Sequence, residues 1–207
     1  ALAGLTIGDG NIAIGYQSLA ANSTGVQNTM IGYNAALDAN NSNFKFNVGV
    51  GNYVFDGVAS GVDAEDNVAI GYQSMGGDWA NATSDANIAI GSYALDGVLN
   101  DSSFNVCIGT NAGGAITTGD TNTFIGNEAG ATSTAAQDMV AIGGDAMGDG
   151  NVTAAAVGSI AIGQNALNNL TSGARNLAIG YQAADSLTTG VDNIAIGYDA
   201  LGSATTN

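Results

Sequence analysis

The five residues Asn-Ile-Ala-Ile-Gly at positions 11–15 carry the pattern from which the fold follows, because close variants return along the whole chain. Eleven copies end in glycine, and successive closing glycines are 17 to 20 residues apart. These glycines are Gly15, Gly32, Gly51, Gly71, Gly91, Gly109, Gly126, Gly143, Gly163, Gly180 and Gly197. A repeat of this length predicts a solenoid, in which each unit buries its apolar face only against its neighbours. We call each repeat a coil; it runs from the first residue of one copy to the residue before the next.

The residues inside each copy alternate between bulky and small. Ile12 and Ile14 are β-branched, as are most of their equivalents, whereas Ala13 and its equivalents are usually small. This period of two predicts a short β-strand, and we expect the Ile/Val pairs to form a continuous narrow interior. The closing glycine predicts a corner, because glycine adopts positive φ without steric cost. The expected fold is all-β, a parallel β-solenoid of about eleven coils of 17–20 residues.

A second run follows each closing glycine, such as Tyr-Gln-Ser-Leu at residues 16–19. Its third residue is small in nearly every copy and its fourth is often Leu or Met. We interpret it as a second strand, folded back over the first, that adds one small and one large residue to the core. The remainder of each coil is predicted to be a loop, which holds the extra residues of the longer coils.

The opening position of the copies is Asn in nine of eleven cases. In register, these side chains would form a ladder of amides that hydrogen-bond each other and the turn backbone. A ligand-binding Asn row is the alternative, but a feature found in every coil is expected to serve the coil. The residues that define the structural repeat in this interpretation include Asn11, Ile14, Gly15, Asn28, Gly32, Asn67, Gly71, Asn193, Ile196 and Gly197.

Composition narrows the function. Lys45 and Arg175 are the only basic residues beside 18 acidic ones, and the net charge is −16. Binding nucleic acid or an anionic membrane surface requires Lys and Arg, so neither is expected, and no apolar run predicts membrane insertion. Thirty-two glycines and no proline suit a continuous ladder with tight turns. Residues 1–207 are predicted to form a single repeat array, a segment of a longer fibrous protein.

The chain lacks the residues from which common catalytic sites are built. The chain has no His, and its single Cys107 occupies a position that is usually Ala, so triads and zinc sites cannot be built. We therefore predict that the chain is not an enzyme. Paired carboxylates that hydrolyse a polysaccharide remain the alternative, because Asp is abundant.

Two stretches are candidate binding sites. Aromatic residues suit sugars and interfaces, and we predict a binding surface made of Phe44, Phe46, Tyr53, Phe55 and Trp79. The alternative is that these side chains cover a widened coil. The acidic loop with Asp63, Glu65 and Asp66 is a candidate Ca²⁺ site, since Ca²⁺ takes six to eight oxygen ligands. Its alternative is a solvated acidic loop, and no other cofactor is expected.

The nine-residue sequences at positions 11–19 and 193–201 resemble two related groups of proteins. One is the left-handed β-roll head of trimeric autotransporter adhesins; the other is the Asn-Thr-Ala-Ile-Gly-Tyr-x-Ala-Leu arrays of phage tail fibres. The resemblance implies a left-handed β-roll and a homotrimer. Its spacing is closer to the fibre arrays, which implies a virion surface; the alternative location is an extracellular cell surface.

The function implied by this resemblance is host attachment by a rigid trimeric rod, with a surface glycan or protein as receptor. The alternatives are the head of a bacterial trimeric adhesin and a polysaccharide-degrading, tailspike-like enzyme. A roll this thin buries little area per residue, which favours assembly of three copies. We expect the small-residue row, with Ala69 and Ala89 among its members, to allow the close approach of a neighbouring chain.

Overall fold

The fold is a parallel β-solenoid, as the repeat predicts. The computed structural model describes residues 1–4, 6–40, 42–58, 61–79 and 83–206, and within those ranges there is no helix that could cross a membrane. The strands are β1 (Ile12–Ile14), β2 (Thr29–Ile31), β3 (Phe44–Lys45), β4 (Val48–Val50), β5 (Ala64–Glu65), β6 (Val68–Ile70), β7 (Ile88–Ile90), β8 (Val106–Ile108), β9 (Thr123–Ile125), β10 (Val140–Ile142), β11 (Ile160–Ile162), β12 (Leu177–Ile179) and β13 (Ile194–Ile196).

Eleven three-residue strands form one parallel sheet in chain order, and β3 and β5 form a separate pair. Equivalent residues of successive copies lie side by side; Ala89 of β7, for example, pairs with Cys107 of β8. Strands in a sheet lie about 4.8 Å apart, so the sheet is about 50 Å long. The sequence repeat therefore sets the register directly.

The middle residue of each strand, not the bulky pair, points into the interior. Ala89, Phe124 and Ala161 are fully buried, whereas Ile88 and Ile160 are each 36% exposed. The prediction that the Ile/Val pairs form the interior is therefore wrong. The roll is so thin that each strand contributes one side chain to the core, and the rest of the space is filled from the other side.

The run after the corner glycine fills that space. In coil 5, Ala94 and Leu95 are fully buried, so the predicted pair of one small and one large core residue is confirmed. The run is nevertheless a series of turns and not a second strand, because its second and fourth residues have positive φ, 59° at Tyr93 and 50° at Leu95. It still hydrogen-bonds in register, for example from the N–H of Leu95 to the carbonyl of Ala112 at 3.0 Å.

The corner glycines are required for two reasons. Gly91 has a φ of +138°, which side chains rarely adopt, and a Cβ there would collide with the carbonyl oxygen of Gly109 in the next coil. The backbones of neighbouring coils therefore approach one another more closely at this corner than any side chain allows.

Core volume is exchanged between positions. Phe124 stands where most coils have Ala, and Gly130 stands where most have a larger residue. A Cβ on Gly130 would lie 2.5 Å from Phe124 Cδ2, so the ring occupies the space that a large side chain fills in other coils. The buried Cys107 also contacts this region as a packing residue, and burial raises the pKa of its thiol.

The asparagine ladder is confirmed. Asn87 Oδ1 accepts from both the backbone N–H and Nδ2 of Asn105, at 2.9 and 3.1 Å. Nδ2 of Asn105 also donates to the carbonyl of Gly119 at 2.8 Å. Between the two end coils these amides are buried and bonded, so the row serves the coil.

The row of amides is interrupted at coils 8 and 9, where Met139 and Ser159 replace Asn. The N–H of Met139 still donates to Asn122 Oδ1 at 3.1 Å, but the N–H of Ser159 meets only Met139 Sδ, at 3.4 Å. The hydroxyl of Ser159 then accepts from the N–H of Asn176 at 3.0 Å, and the amide ladder resumes.

Candidate functional site

The Ile/Val pairs lie on the outer surface of the sheet, where they form a continuous apolar band. We call it the aliphatic strip. Its two rows are Ile12, Thr29, Val48, Val68, Ile88, Val106, Thr123, Val140, Ile160, Leu177 and Ile194, and Ile14, Ile31, Val50, Ile70, Ile90, Ile108, Ile125, Ile142, Ile162, Ile179 and Ile196. Apart from two Thr residues, every member is aliphatic. The strip contains no charge.

The strip is too large to be an ordinary feature of a monomer's surface. It runs the full length of the sheet, about 50 Å, and is two side chains wide. Monomeric soluble proteins rarely expose contiguous apolar patches of more than a few hundred Å². Exposure is greatest at the two ends and about one third in the middle, where neighbouring coils shield each other. The strip is therefore a candidate interface.

A second exposed feature is a row of tyrosine rings, one from each of the first five coils. We call it the tyrosine ladder; its members are Tyr16, Tyr33, Tyr53, Tyr72 and Tyr93. Successive ring centroids are 5.3, 5.5, 5.8 and 5.4 Å apart. Every ring except that of Tyr53 is among the exposed large side chains, and Tyr53 is half-buried.

Sequence analysis found only one member of this ladder. Tyr16, Tyr33 and Tyr72 directly follow a corner glycine, but Tyr53 and Tyr93 come one residue later. Both of the later residues occupy the second position after the glycine, where φ is positive in every coil, and their rings still contact those of the neighbouring coils. The recurrent Gly-Tyr pair was the available signal, and the shift by one residue hid its continuity.

Carboxyl groups border the ladder. Burial raises the pKa of Asp56, and the neighbouring aspartates add to the rise. Burial also raises the pKa of Asp96 to about 6, although backbone N–H groups of Gly76 and Gly77 oppose the shift. Oδ1 of Asp96 is buried without a hydrogen-bond partner.

Desolvation also raises the pKa values of two phenols beside these carboxyls. The pKa of Tyr53 is raised, first by desolvation and then by its tyrosine neighbours and Asp56. The pKa of Tyr93 is raised by desolvation, by Tyr72 and by Asp96. Both phenols therefore keep their protons and remain hydrogen-bond donors.

The predicted aromatic binding surface is mostly wrong. Phe44 and Phe55 are fully buried and Trp79 is 4% exposed. The Phe55 ring packs between the other two, with centroids 5.8 Å from Phe44 and 6.0 Å from Trp79. These rings fill the core of the longer coils, which is the alternative that the sequence left open. Only Phe46 and Tyr53 of the predicted set reach the surface.

The acidic loop offers little to a cation. Glu65 forms an ion pair with Lys45 Nζ at 2.8 Å across β3 and β5, and Asp63 accepts a hydrogen bond from Asn43. Asp66 lies next in the chain, in the row before the Asn ladder. Among the residues that the structure describes, no three acidic, His or Cys side chains converge on a point where a metal ion could bind. The Ca²⁺ prediction gains no support from this geometry.

Basic charge is confined to two ion pairs. Besides Lys45, Arg175 donates from Nε and Nη2 to the two carboxylate oxygens of Asp192, at 2.6 and 2.7 Å. The pKa of Asp192 is lowered as a result. The described surface has no pocket. The strip and the ladder are therefore open surfaces, and a partner must lie along them.

Comparison with known proteins gives no match to the chain, whether with protein-family models, curated proteins or solved structures. The functional argument therefore rests on the two surfaces.

Proposed function

We propose that the chain is a structural and receptor-binding module of a tail fibre, in which three copies associate through the aliphatic strip into a rigid rod for host attachment. One observation carries this proposal: the β-branched side chains that the repeat preserves in every coil lie outside the core. Side chains kept apolar over eleven coils and left facing water are expected to be covered by other chains.

The physical chemistry of the strip suits association. Burial of apolar area contributes roughly 25 cal/mol per Å². No charged side chain lies in the strip, so its burial leaves no ion without a partner. The strip has two rows, and around a three-fold axis each row can face a different neighbour. This agrees with the homotrimer that the resemblance implies.

The contact surface differs from the one expected from the sequence. The small-residue row was predicted to meet a neighbouring chain, but Ala69, Ala89 and Ala141 are fully buried inside the roll. They cannot touch another copy. The strip takes their place in the proposed assembly.

Sedimentation equilibrium tests the assembly. We expect the native chain to be trimeric at micromolar concentration, and the variant Ile108→Asp/Ile125→Asp to be monomeric while keeping the circular dichroism of a β protein. The matched control is Val98→Asp, which adds charge at an apolar residue that is 48% exposed but lies outside the strip; it should remain trimeric. A folded, monomeric native chain would overturn the proposal.

The proposed role is attachment by presentation and avidity, on a virion surface or on an extracellular cell surface. Fluorescently labelled chain should bind bacterial cells, and the monomeric strip variant should bind at least tenfold more weakly, because it engages one site at a time. The net charge of −16 favours a soluble rod that does not adhere unspecifically to anionic surfaces. Failure of the trimer to bind any cell surface would contradict attachment.

A further inference from the structure

We propose that the tyrosine ladder is the receptor-contact surface and that its ligand is an uncharged polysaccharide chain lying along the rod. This inference rests on the proposed attachment function and specifies its partner. The ladder is the longest row of contacting rings on the described surface. Phe46, Phe104 and the stacked pair Tyr181 and Tyr198 are also exposed, but none of them belongs to a row of more than two rings.

The shape of the ladder fits a linear polymer. Its five rings stand one per coil at centroid spacings of 5.3 to 5.8 Å, with no pocket to enclose a compact ligand. The first two ring planes are nearly parallel, at 14°, but the next three steps turn by 65°, 76° and 75°. Rings that are turned relative to one another in this way cannot all stack along the rod axis. Some of the ring faces therefore point sideways, across the rod. Sugar rings pack their C–H faces on such surfaces.

Polar groups beside the rings can complete the contact. The phenol hydroxyls donate or accept, and the carboxyls of Asp56 and Asp96 can accept hydrogen bonds from sugar hydroxyls.

Charge selects against other polymers. Both basic side chains are held in ion pairs, with Glu65 and Asp192. The ionisable groups that raise the pKa values of Tyr53 and Tyr93 are other tyrosines and aspartates. An anionic polysaccharide would be repelled. A polycation would meet Asp56, Asp96 and the two aspartates beside Asp56, which are Asp38 and Asp78, so a cationic chain is the competing ligand that the test must separate. The continuous part of the surface is the row of five neutral phenols, and it matches hydroxyl-rich chains without charge.

The test uses the trimeric chain and three kinds of soluble probe in affinity electrophoresis. The neutral probes are a β-glucan, a mannan and a galactan; chitosan is the cationic probe and dextran sulfate the anionic one. The variant is Tyr53→Asn/Tyr93→Asn, because Asn34 and Asn111 occupy the same repeat position with positive φ, so the backbone accepts Asn there. The control is Phe104→Ala, which removes an aromatic side chain that is 63% exposed but lies outside the ladder.

We expect at least one neutral polysaccharide to retard the native chain and the control equally, and the double variant to lose at least tenfold in affinity. Equal retardation of the double variant, or binding confined to chitosan or to dextran sulfate, would overturn the inference. A change in the sedimentation of the double variant would do so as well, by assigning the ladder to the contact between copies.

Failure of this inference is distinguishable from failure of the proposed function. If the trimer binds cells and the double variant binds them equally well, attachment stands and the ladder is not the contact. If the trimer binds no cells, attachment itself fails.

Discussion

Coil 7, residues 122–138, and coil 9, residues 159–175, have the same length and the same sequence of strand and turns, yet they fill the core in opposite ways. Coil 7 has Phe124 on the strand and Gly130 on the return segment. Coil 9 has Ala161 and Leu167 at the same two positions, and the side chains of Phe124, Ala161 and Leu167 are all buried. The interior of this solenoid thus constrains the volume of each coil rather than the residue at each position.

The two coils also differ in their hydrogen bonds to the asparagine ladder. Asn122 donates from Nδ2 to Asn105 Oδ1 and to the Ala136 carbonyl, at 2.8 and 2.7 Å. Ser159 has only a hydroxyl, which accepts from Asn176 and makes a longer bond of 3.3 Å to the Gly173 carbonyl. A coil can therefore be built without the amide, but with fewer hydrogen bonds to its neighbours.

The largest effect is expected from moving volume within coil 7. Phe124→Ala should cost about 3–5 kcal/mol by leaving a cavity, and Gly130→Leu about 3 kcal/mol or more by overlap with the ring. The double variant Phe124→Ala/Gly130→Leu copies coil 9 and should recover most of both losses, because Leu167 already adopts a φ of 48° at this position. Chemical denaturation of the four proteins gives the coupling energy. Additive losses would mean that the two positions do not share one space.

The next largest loss of stability is expected from removing a side chain of the asparagine ladder. Asn122→Ala leaves the N–H of Met139 and the oxygens of Asn105 and Ala136 short of a partner, and we expect a loss of about 3 kcal/mol. Ser159→Ala removes one good and one long bond and should cost about 1–2 kcal/mol. Urea midpoints of the two variants at one pH make the measurement. Equal losses would show that the amide contributes no more than the hydroxyl.

A smaller effect concerns a position where coil 5 has Asp96 and coil 9 has Asn168. The pKa of Asp96 is raised from 3.8 to about 6, so its protonated form favours the folded state. That contribution is full below about pH 4 and is lost as the pH rises through about 6. Asp96→Asn should therefore stabilise the fold above about pH 7, by about 1 kcal/mol for a half-buried group screened by solvent.

The gain from Asp96→Asn should vanish near pH 4, where the native carboxyl is also neutral. Denaturation of both proteins at the two pH values tests this, and a gain that is independent of pH would contradict the assignment.

The smallest effect is expected at Met139 of coil 8, where the asparagine ladder is interrupted between the two coils. Met139→Asn would restore amide contacts worth about 1 kcal/mol each, but it would lose the burial of a methionine, about 1.5–3 kcal/mol. The two terms nearly cancel, and thermal unfolding should change by about 1 kcal/mol or less. A loss above about 3 kcal/mol would show that the local backbone has adapted to methionine.

The candidate surfaces were only partly predictable. Phe44 and Phe46 belong to one run, yet Phe44 is buried and Phe46 is exposed, and the sequence of a single coil does not say which lies inside. The tyrosine ladder was missed because Tyr53 and Tyr93 come one residue later after the corner glycine than the other three members, so no single offset marks the row. The asparagine ladder, by contrast, was predictable, because an identical residue at an identical offset must stack in a parallel register.

The repeat length, the positions of the eleven three-residue strands, the corner glycines and the register could all be predicted from the sequence, since they follow from local alternation and a fixed period. Which face of the strand points inward could be seen only in the folded coil. Both faces are apolar, so hydrophobicity alone could not choose between Ala89 and its neighbours Ile88 and Ile90. The choice depends on the volume that the return segment, with residues such as Leu95, leaves inside the roll, and that volume is defined only once the coil is closed.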